Sequence, residues 1–462
     1  MKRTLEDAAL ACGGRLIGAD GPFGVVSTDS RTLPPGALFV ALRGPKFDGA
    51  SFAAAAQARG AVGALIQRAL PGLSLPQIEV PDALQGLQRL GRAWRENFSI
   101  PIVGVGGSNG KTTAKEMTSA ILARRGPCMA TSGNLNNHIG VPVTLMRLEA
   151  AHASAVIEMG ANRIGDVAEL VALARPTVGF ITNAGAEHLE GFGDLDGVAR
   201  GEGEMVAGLA HDAVAIVNAD DAYADYWRSV SGARRVVTFG VKAGADFSAA
   251  QIVQGIERTE FATCFLLRCP LGERAVLVKA GGAHNVSNAL GAAAAAAAAG
   301  ASLDDIVAGL ADFRAVSGRL QLKIGLRDSR IIDDSYNANP SSVRAGLDVL
   351  RSVSGPTWLV LADMAELGEH ASESHAGLGR YARECHVKRL FAYGPESSRA
   401  VETFGSGGEW FADIDALIRR LQSEIAPGVT VLIKGSRVNR LERVVQALVG
   451  GAAGQGPMMR AG

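Results

Sequence analysis

The sequence predicts an α/β protein of three domains, with a central, mostly parallel, P-loop ATPase-like sheet. Three observations carry that expectation. The chain has 462 residues, more than one ordinary hydrophobic core organises, so two to four domains are expected. Strand-length apolar runs alternate with helix-like stretches through the middle and the last third, the pattern of a parallel sheet with helices on its faces. One of those runs leads directly into Gly106-Gly-Ser-Asn-Gly-Lys-Thr-Thr113, a Gly-rich turn of the kind that binds phosphate.

Composition narrows the class. Hydrophobic residues make up 47% and charged residues 20% of the chain, as in a soluble globular protein. Acidic and basic residues balance at 46 each, so no bulk field argues for nucleic acid or an anionic membrane. The five cysteines, Cys12, Cys128, Cys264, Cys269 and Cys385, form no Cys-x-x-Cys pair and read as reduced thiols of a cytoplasmic protein. Glu6 and Asp7 interrupt any apolar core of a signal peptide. No apolar run of membrane-like composition approaches the roughly 20 residues of a spanning helix, so no membrane insertion is expected. The run Ala292 to Ala299 is weakly hydrophobic and helix-favouring, and reads as a packed helix with small side chains.

The elements follow in order. Residues 1–98 hold apolar runs at 37–42 and 61–66 with an Ala-rich helix at 52–59 between them, a small α/β domain. Residues 99–314 carry strands at 102–105, 155–158, 178–182 and 213–218, the expected central domain. Residues 315–450 carry strands at 330–333, 357–362, 389–393 and 430–434 with helices between, a second, Rossmann-like unit. The tail 451–462 is Gly/Ala-rich without pattern and is expected to be disordered.

The turn after the first central strand has a direct physical reading. Backbone N–H groups of Gly107, Ser108, Asn109 and Gly110 and of the helix start at Thr113 can converge on phosphate oxygens. Lys111 would reach the terminal phosphates and the Thr112 hydroxyl would hold Mg2+. The standard spacing asks for glycine at 105, where Val105 stands. The alternative is a Gly-rich turn that binds nothing.

Further constellations each admit two readings. Thr131-Ser-Gly-Asn-Leu-Asn-Asn-His offers Thr131, Asn134, Asn136 and Asn137 to a substrate, or uses its asparagines to close turns. Glu158 ends an apolar run, where parallel sheets bind ligands and where an oxygen ligand for Mg2+ would sit; otherwise it is a solvated charge. His188 is either a metal ligand or switchable acid/base, or a structural histidine. Asn285 carries the donor and acceptor that adenine recognition needs, and would equally cap a helix. Arg319 suits developing phosphate charge and Asp334 suits ribose hydroxyls, or each makes an ordinary salt bridge.

As a set, these motifs resemble the ATP-dependent Mur ligases of peptidoglycan synthesis, over essentially the whole chain. The Asn-rich loop at 131–142, Glu-Met-Gly at 158–160, Asp-Ser-Tyr-Asn-Ala-Asn-Pro at 334–340 and Ala-Asp-Met-x-Glu-Leu-Gly at 362–368 are similar to the members that add D-alanyl-D-alanine to UDP-N-acetylmuramoyl-tripeptide. The Asp-Asn-Pro-Arg usual in relatives that add the third residue does not occur. The resemblance implies a UDP-sugar-binding first domain, an ATPase domain, and a C-terminal domain that closes on ATP. It implies ATP and Mg2+ as cofactors and an acyl-phosphate intermediate. It implies catalytic roles for Lys111, Glu158, His188 and Arg319, and metal ligation by Thr112, Glu158 and His188. Asn285, Arg319 and Asp334 would contact ATP, and Ser30 and Arg31 match a UDP-side motif. Many relatives carry a carbamylated lysine where this chain has Glu202. Glu202 either supplies a permanent carboxylate on a shorter arm, as a further metal-region ligand, or is a solvated helix-surface residue. A folylpolyglutamate-synthase-like ligase and a nucleotide-binding protein that makes no bond remain alternatives.

Overall fold

The computed structural model describes residues 3–449 apart from 234, 243 and 258; the expectation of a disordered tail at 451–462 lies outside them. The chain forms three principal sheets of five, nine and six strands. The first, in residues 15–79, is parallel except where Arg15–Ile17 runs against Gln77–Glu79. The helix Ala83–Arg95, capped by Asp82, leads out of it. Its buried Arg95 donates to the carbonyls of Ala174 (2.9 Å) and Arg175 (3.1 Å), which fastens this helix to the central unit.

The central sheet carries the site. Its strand β1 (Ile102–Gly106), third from one edge, runs into the Gly-rich turn and then helix α1 (Lys111–Leu122). Parallel strands β2 (Ser154–Glu158) and β3 (Val178–Ile181) flank β1, with Glu158 level with Val105 and Ile181 level with Gly106. One register therefore brings the turn, Glu158 and the segment after β3 to the same sheet edge. All three strands are buried throughout, because helices cover both faces, and this explains their continuous apolar sequence. Helix α2 (Leu195–Ala207) covers one face. On the other lies α3 (Ala283–Ala298), whose alanines 292–296 are buried against Phe180, Phe239 and α1. Alanine's small side chain permits that close approach, as the sequence predicts.

The parallel expectation holds only up to Phe247. Strands Phe247–Glu257, Glu260–Cys269 and Gly272–Val278 extend the sheet as an antiparallel arm. Its tip residue Phe261 packs with Leu320, Leu322 and Ile332 of the C-terminal unit. The sequence reading assigns no strands there. The first arm strand is mostly exposed, so it lacks the apolar alternation by which strands are recognised.

The C-terminal sheet contains β4 (Arg330–Asp334), followed by helix α4 (Pro340–Arg351), and β5 (Thr430–Lys434) parallel to β4. Asp334 and Lys434 are register partners at its edge. The other predicted strands of this unit are observed at Thr357–Ala362 and Arg389–Tyr393. Among the described residues no helix is long and apolar enough to cross a membrane.

Candidate active site

A cleft of about 700 Å3 separates the edges of the central and C-terminal sheets. The Gly-rich turn forms its floor. Gly107 has φ +111, and a Cβ there would stand 2.1 Å from the Thr182 hydroxyl; Gly110 has φ +82 and abuts the Asn288 amide. Neither position accepts a side chain without displacement. The turn ends at α1, so the N-terminal N–H groups of that helix face the cleft. Ser108, Asn109, Gly110, Lys111, Thr112 and Thr113 line it, and Gly107 does not.

Lys111 is held within the turn. Its ammonium donates to the carbonyls of Gly107 (2.5 Å) and Ser108 (3.1 Å) and to Glu187 (3.2 Å). Burial presses it toward neutrality, but Glu187, Glu202 and Glu158 outweigh burial and hold its pKa above the ordinary lysine value. Sequence reasoning missed Glu187. It is buried, lines the cleft, and burial raises its pKa to about 7 against the pull of Lys111. Its only local signal was a carboxylate beside His188 after a strand.

Glu158 is 3% exposed. Its Oε1 accepts from the Asn136 amide at 2.9 Å, and its Oε2 has no partner. Thr131 does not line the cleft: it is buried beneath Glu158, and its hydroxyl accepts the Glu158 backbone N–H at 2.9 Å. The buried ammonium of Lys115 donates to the Thr131 carbonyl at 2.7 Å. Asn134, Asn136 and Asn137 line the cleft, although the Asn137 side chain also closes the turn by accepting from Ile139 and Gly140.

Glu202 corrects one alternative. It is not a solvated helix-surface residue but fully buried under the turn, where its Oε2 accepts from the Gly107 N–H at 2.5 Å. Its Oε1 has no partner, and burial raises its pKa. Two unpartnered, buried carboxylate oxygens beside the turn match the hard oxygen donors that Mg2+ prefers. Among the described residues no three His, Cys, Asp or Glu side chains form a closed metal site.

His188 (φ 49) lines the cleft and forms an ion-pair contact across it with Glu366 of the C-terminal unit. Burial lowers its pKa and Glu366 opposes that. Asn285 donates to the Gly281 carbonyl (2.8 Å) and accepts from Asn288 (3.0 Å), so it shapes the start of α3 while lining the cleft.

On the opposite wall, Arg319 lies over the Tyr336 ring at 4.3 Å, with Arg437 at 5.3 Å. Asp334 accepts from the Leu320 N–H (3.1 Å) and the buried Lys434 (2.6 Å), so both its oxygens are occupied by the protein. Ser30 and Arg31 lie outside the cleft, on the first domain; Arg31 pairs with Asp29 at the surface.

Comparison with known proteins now bears on this arrangement. Family models match in succession: the Mur ligase family catalytic domain at residues 23–95, the Mur ligase middle domain at 105–296, and the Mur ligase glutamate ligase domain at 318–437. A relative from Escherichia coli (strain K12), UDP-N-acetylmuramoyl-tripeptide--D-alanyl-D-alanine ligase, is 44% identical over 96% of this chain and 98% of its own. This chain belongs to the Mur ligase family. The Bacillus subtilis (strain 168) protein of the same name is 32% identical over 97% of this chain and 99% of its own. A crystal structure of MurF from Acinetobacter baumannii is similar with TM-score 0.88 and 33% identity, covering 96% of this chain and 98% of that one. MurF ligase from Thermotoga maritima in complex with ADP gives TM-score 0.80 and 25% identity, covering 92% and 96%. As a Mur ligase, the protein is an enzyme that joins two molecules, and the three-sheet fold is that of the family.

Proposed function

We propose that this Mur ligase uses ATP to join D-alanyl-D-alanine to UDP-N-acetylmuramoyl-tripeptide, through an acyl phosphate, in cytoplasmic peptidoglycan precursor synthesis. The observation that carries the reading is the cleft itself. A phosphate-binding turn and the unpartnered Glu158 carboxylate form one wall, with Glu202 buried beneath it, and a wall carrying Arg319 and Arg437 from another sheet faces it. Near-complete alignment with relatives named for this reaction supports the substrates. The five unpaired cysteines accord with the cytoplasm. We take residues 1–98, 99–314 and 315–450 as the three domains; the breaks fall between the sheets.

A carboxylate is a poor electrophile, and the reaction makes its oxygen a leaving group. The tripeptide carboxylate attacks the γ-phosphate of ATP, and ADP leaves. The D-alanyl-D-alanine amine then attacks the acyl carbon and inorganic phosphate leaves. The N–H groups of Gly107, Ser108 and Asn109 are spent on Glu202 and Asn183, so in this reading the N–H groups at the start of α1, with Lys111, stabilise the transferring phosphoryl group. Thr112 and Glu158 would hold one Mg2+ and Glu158 and His188 a second, and Glu202 would organise the metal region from beneath the turn. When bound, Mg2+ neutralises charge between the two anionic reactants. Arg319 approaches the phosphates from the C-terminal side, while Asp334 and Asn285 border the nucleoside. Asn134, Asn136 and Asn137 face the tripeptide, with Thr131 as support beneath. Ser30 and Arg31 meet the UDP group on the first domain. Closure of the cleft excludes the water that would hydrolyse an acyl phosphate.

Incubation with ATP, Mg2+, UDP-tripeptide and D-alanyl-D-alanine should yield the amide and one ADP per bond. ADP without amide, or amide only with a folate and glutamate, would overturn the reading.

A further inference from the structure

The phosphate turn touches the C-terminal wall directly, through Asn109 and two uncharged side chains, Asn339 and Ser341, to which no role has been given above. Asn109 sits at the apex of the turn. Its backbone is held by its own sheet: its N–H donates to Asn183 Oδ1 (3.1 Å), and its carbonyl accepts from the Thr182 hydroxyl (2.7 Å) and the Asn183 amide (2.9 Å). Its side chain lines the cleft and keeps only a long contact to its own sheet, from Nδ2 to Asn183 Oδ1 at 3.5 Å. Across the cleft, Asn339 donates to Asn109 Oδ1 at 2.8 Å, and Asn109 Nδ2 donates to the Ser341 hydroxyl at 3.0 Å. Both donor and acceptor of one amide are thus matched by residues 230 and 232 positions away in the chain.

The partners are fixed in turn. Asn339 is the N-cap of α4, where its Oδ1 accepts from the Ser342 N–H (2.8 Å) and the Ser341 hydroxyl (3.0 Å). It is 8% exposed. The same asparagine therefore caps the helix with its oxygen and reaches the turn with its nitrogen. Neither contact involves a charge, so the bridge can form and break without stranding an unpaired ion. The Glu366 contact to His188 is the contrasting case, since it occupies a side chain that the reaction needs.

We propose that Asn339 and Ser341 are positioning residues, which dock the C-terminal domain on the phosphate turn through Asn109. Docking places α4 and the Arg319 wall in register with the turn, so closure and alignment of the transferring phosphoryl group are one event. This rests on the ligase reading of the cleft. The prediction is specific: loss of the bridge slows the chemical step and leaves nucleotide capture by the turn intact.

The test uses the full chain with Asn339→Ser and Ser341→Ala. Serine is a good N-cap, so Asn339→Ser keeps α4 capped but is too short to reach Asn109. Each variant should lose about tenfold in kcat, the scale of one lost hydrogen bond, with KM for ATP, ADP affinity and melting temperature little changed. Asn339→Ser should cost nothing further in an Asn109→Ala background, because the interaction is already gone. X-ray scattering with an ATP analogue and UDP-tripeptide should show less compaction in the variants than in wild type. Turnover within about twofold of an active wild type overturns the proposal, as do additive losses or a kcat loss that tracks a fall in melting temperature. A wild type that forms no amide would refute the ligase reading instead. The scattering comparison would still decide the docking.

Discussion

On the central wall of the cleft one ammonium, Lys111, faces the carboxylates of Glu158, Glu187 and Glu202. On the C-terminal wall Lys434 holds Asp334 one to one, and Arg319 and Arg437 crowd the ring of Tyr336. Both walls bury ionisable groups, but only the second matches its buried pair internally. Removing charge from water is costly unless a partner compensates. The first wall, where Glu158 Oε2 is unpartnered, therefore lowers its energy by taking a cation. The second, whose Arg437 is paired with Glu442 at 3.7 Å, offers Arg319 to an anion. A metal-nucleotide complex supplies both, which makes the mismatch within each wall a statement about the ligand between them.

The largest expected effect tests the matched wall. Lys434→Met should destabilise the protein by about 3–5 kcal/mol, because it strands the buried Asp334 carboxylate. Urea unfolding measures it, and an unchanged midpoint would show that Asp334 is solvated after all. Next comes the phosphate turn. Lys111→Ala should fold yet lose at least about a hundredfold in turnover, the scale of removing one preorganised stabiliser. Near wild-type activity would sink the phosphate-binding reading.

Glu202 sharpens the contrast from the other side. Glu202→Ala should raise the Mg2+ needed for half-maximal activity by about tenfold, since a carboxylate organising the metal region is lost. Overlaid Mg2+ titrations of wild type and variant would mean that Glu202 serves the turn only. Because Glu202 brings its own carboxyl group and needs no CO2-derived modification, bicarbonate depletion should leave wild-type activity unchanged. The smallest effect is on stability. Glu202→Gln keeps an acceptor for the Gly107 N–H and removes one excess buried charge, so unfolding free energy should stay level or rise by up to about 1 kcal/mol. A loss as large as that of Lys434→Met would erase the distinction between the walls.

The amino-acid sequence by itself determined the local structure. Apolar runs located β1 to β5 to within a residue or two at their ends, because strands buried on both faces must be apolar throughout. It also determined the phosphate turn, whose left-handed glycines are a property of the turn alone. Glu158 was legible because a strand end in a parallel sheet has a known direction. The antiparallel arm was not, for its exposed strand carries no burial pattern. Nor was anything that depends on which side chain meets which across many residues. That Lys434 pairs with Asp334, that Glu187 holds Lys111, that Glu202 lies under the turn and not in solvent, and that Asn339 reaches Asn109 are all decided by sheet register and domain docking. Residue types and spacing specify backbone geometry over a few positions, where sterics are local. Burial and charge pairing are set by distance in space, and only the folded chain assigns those distances.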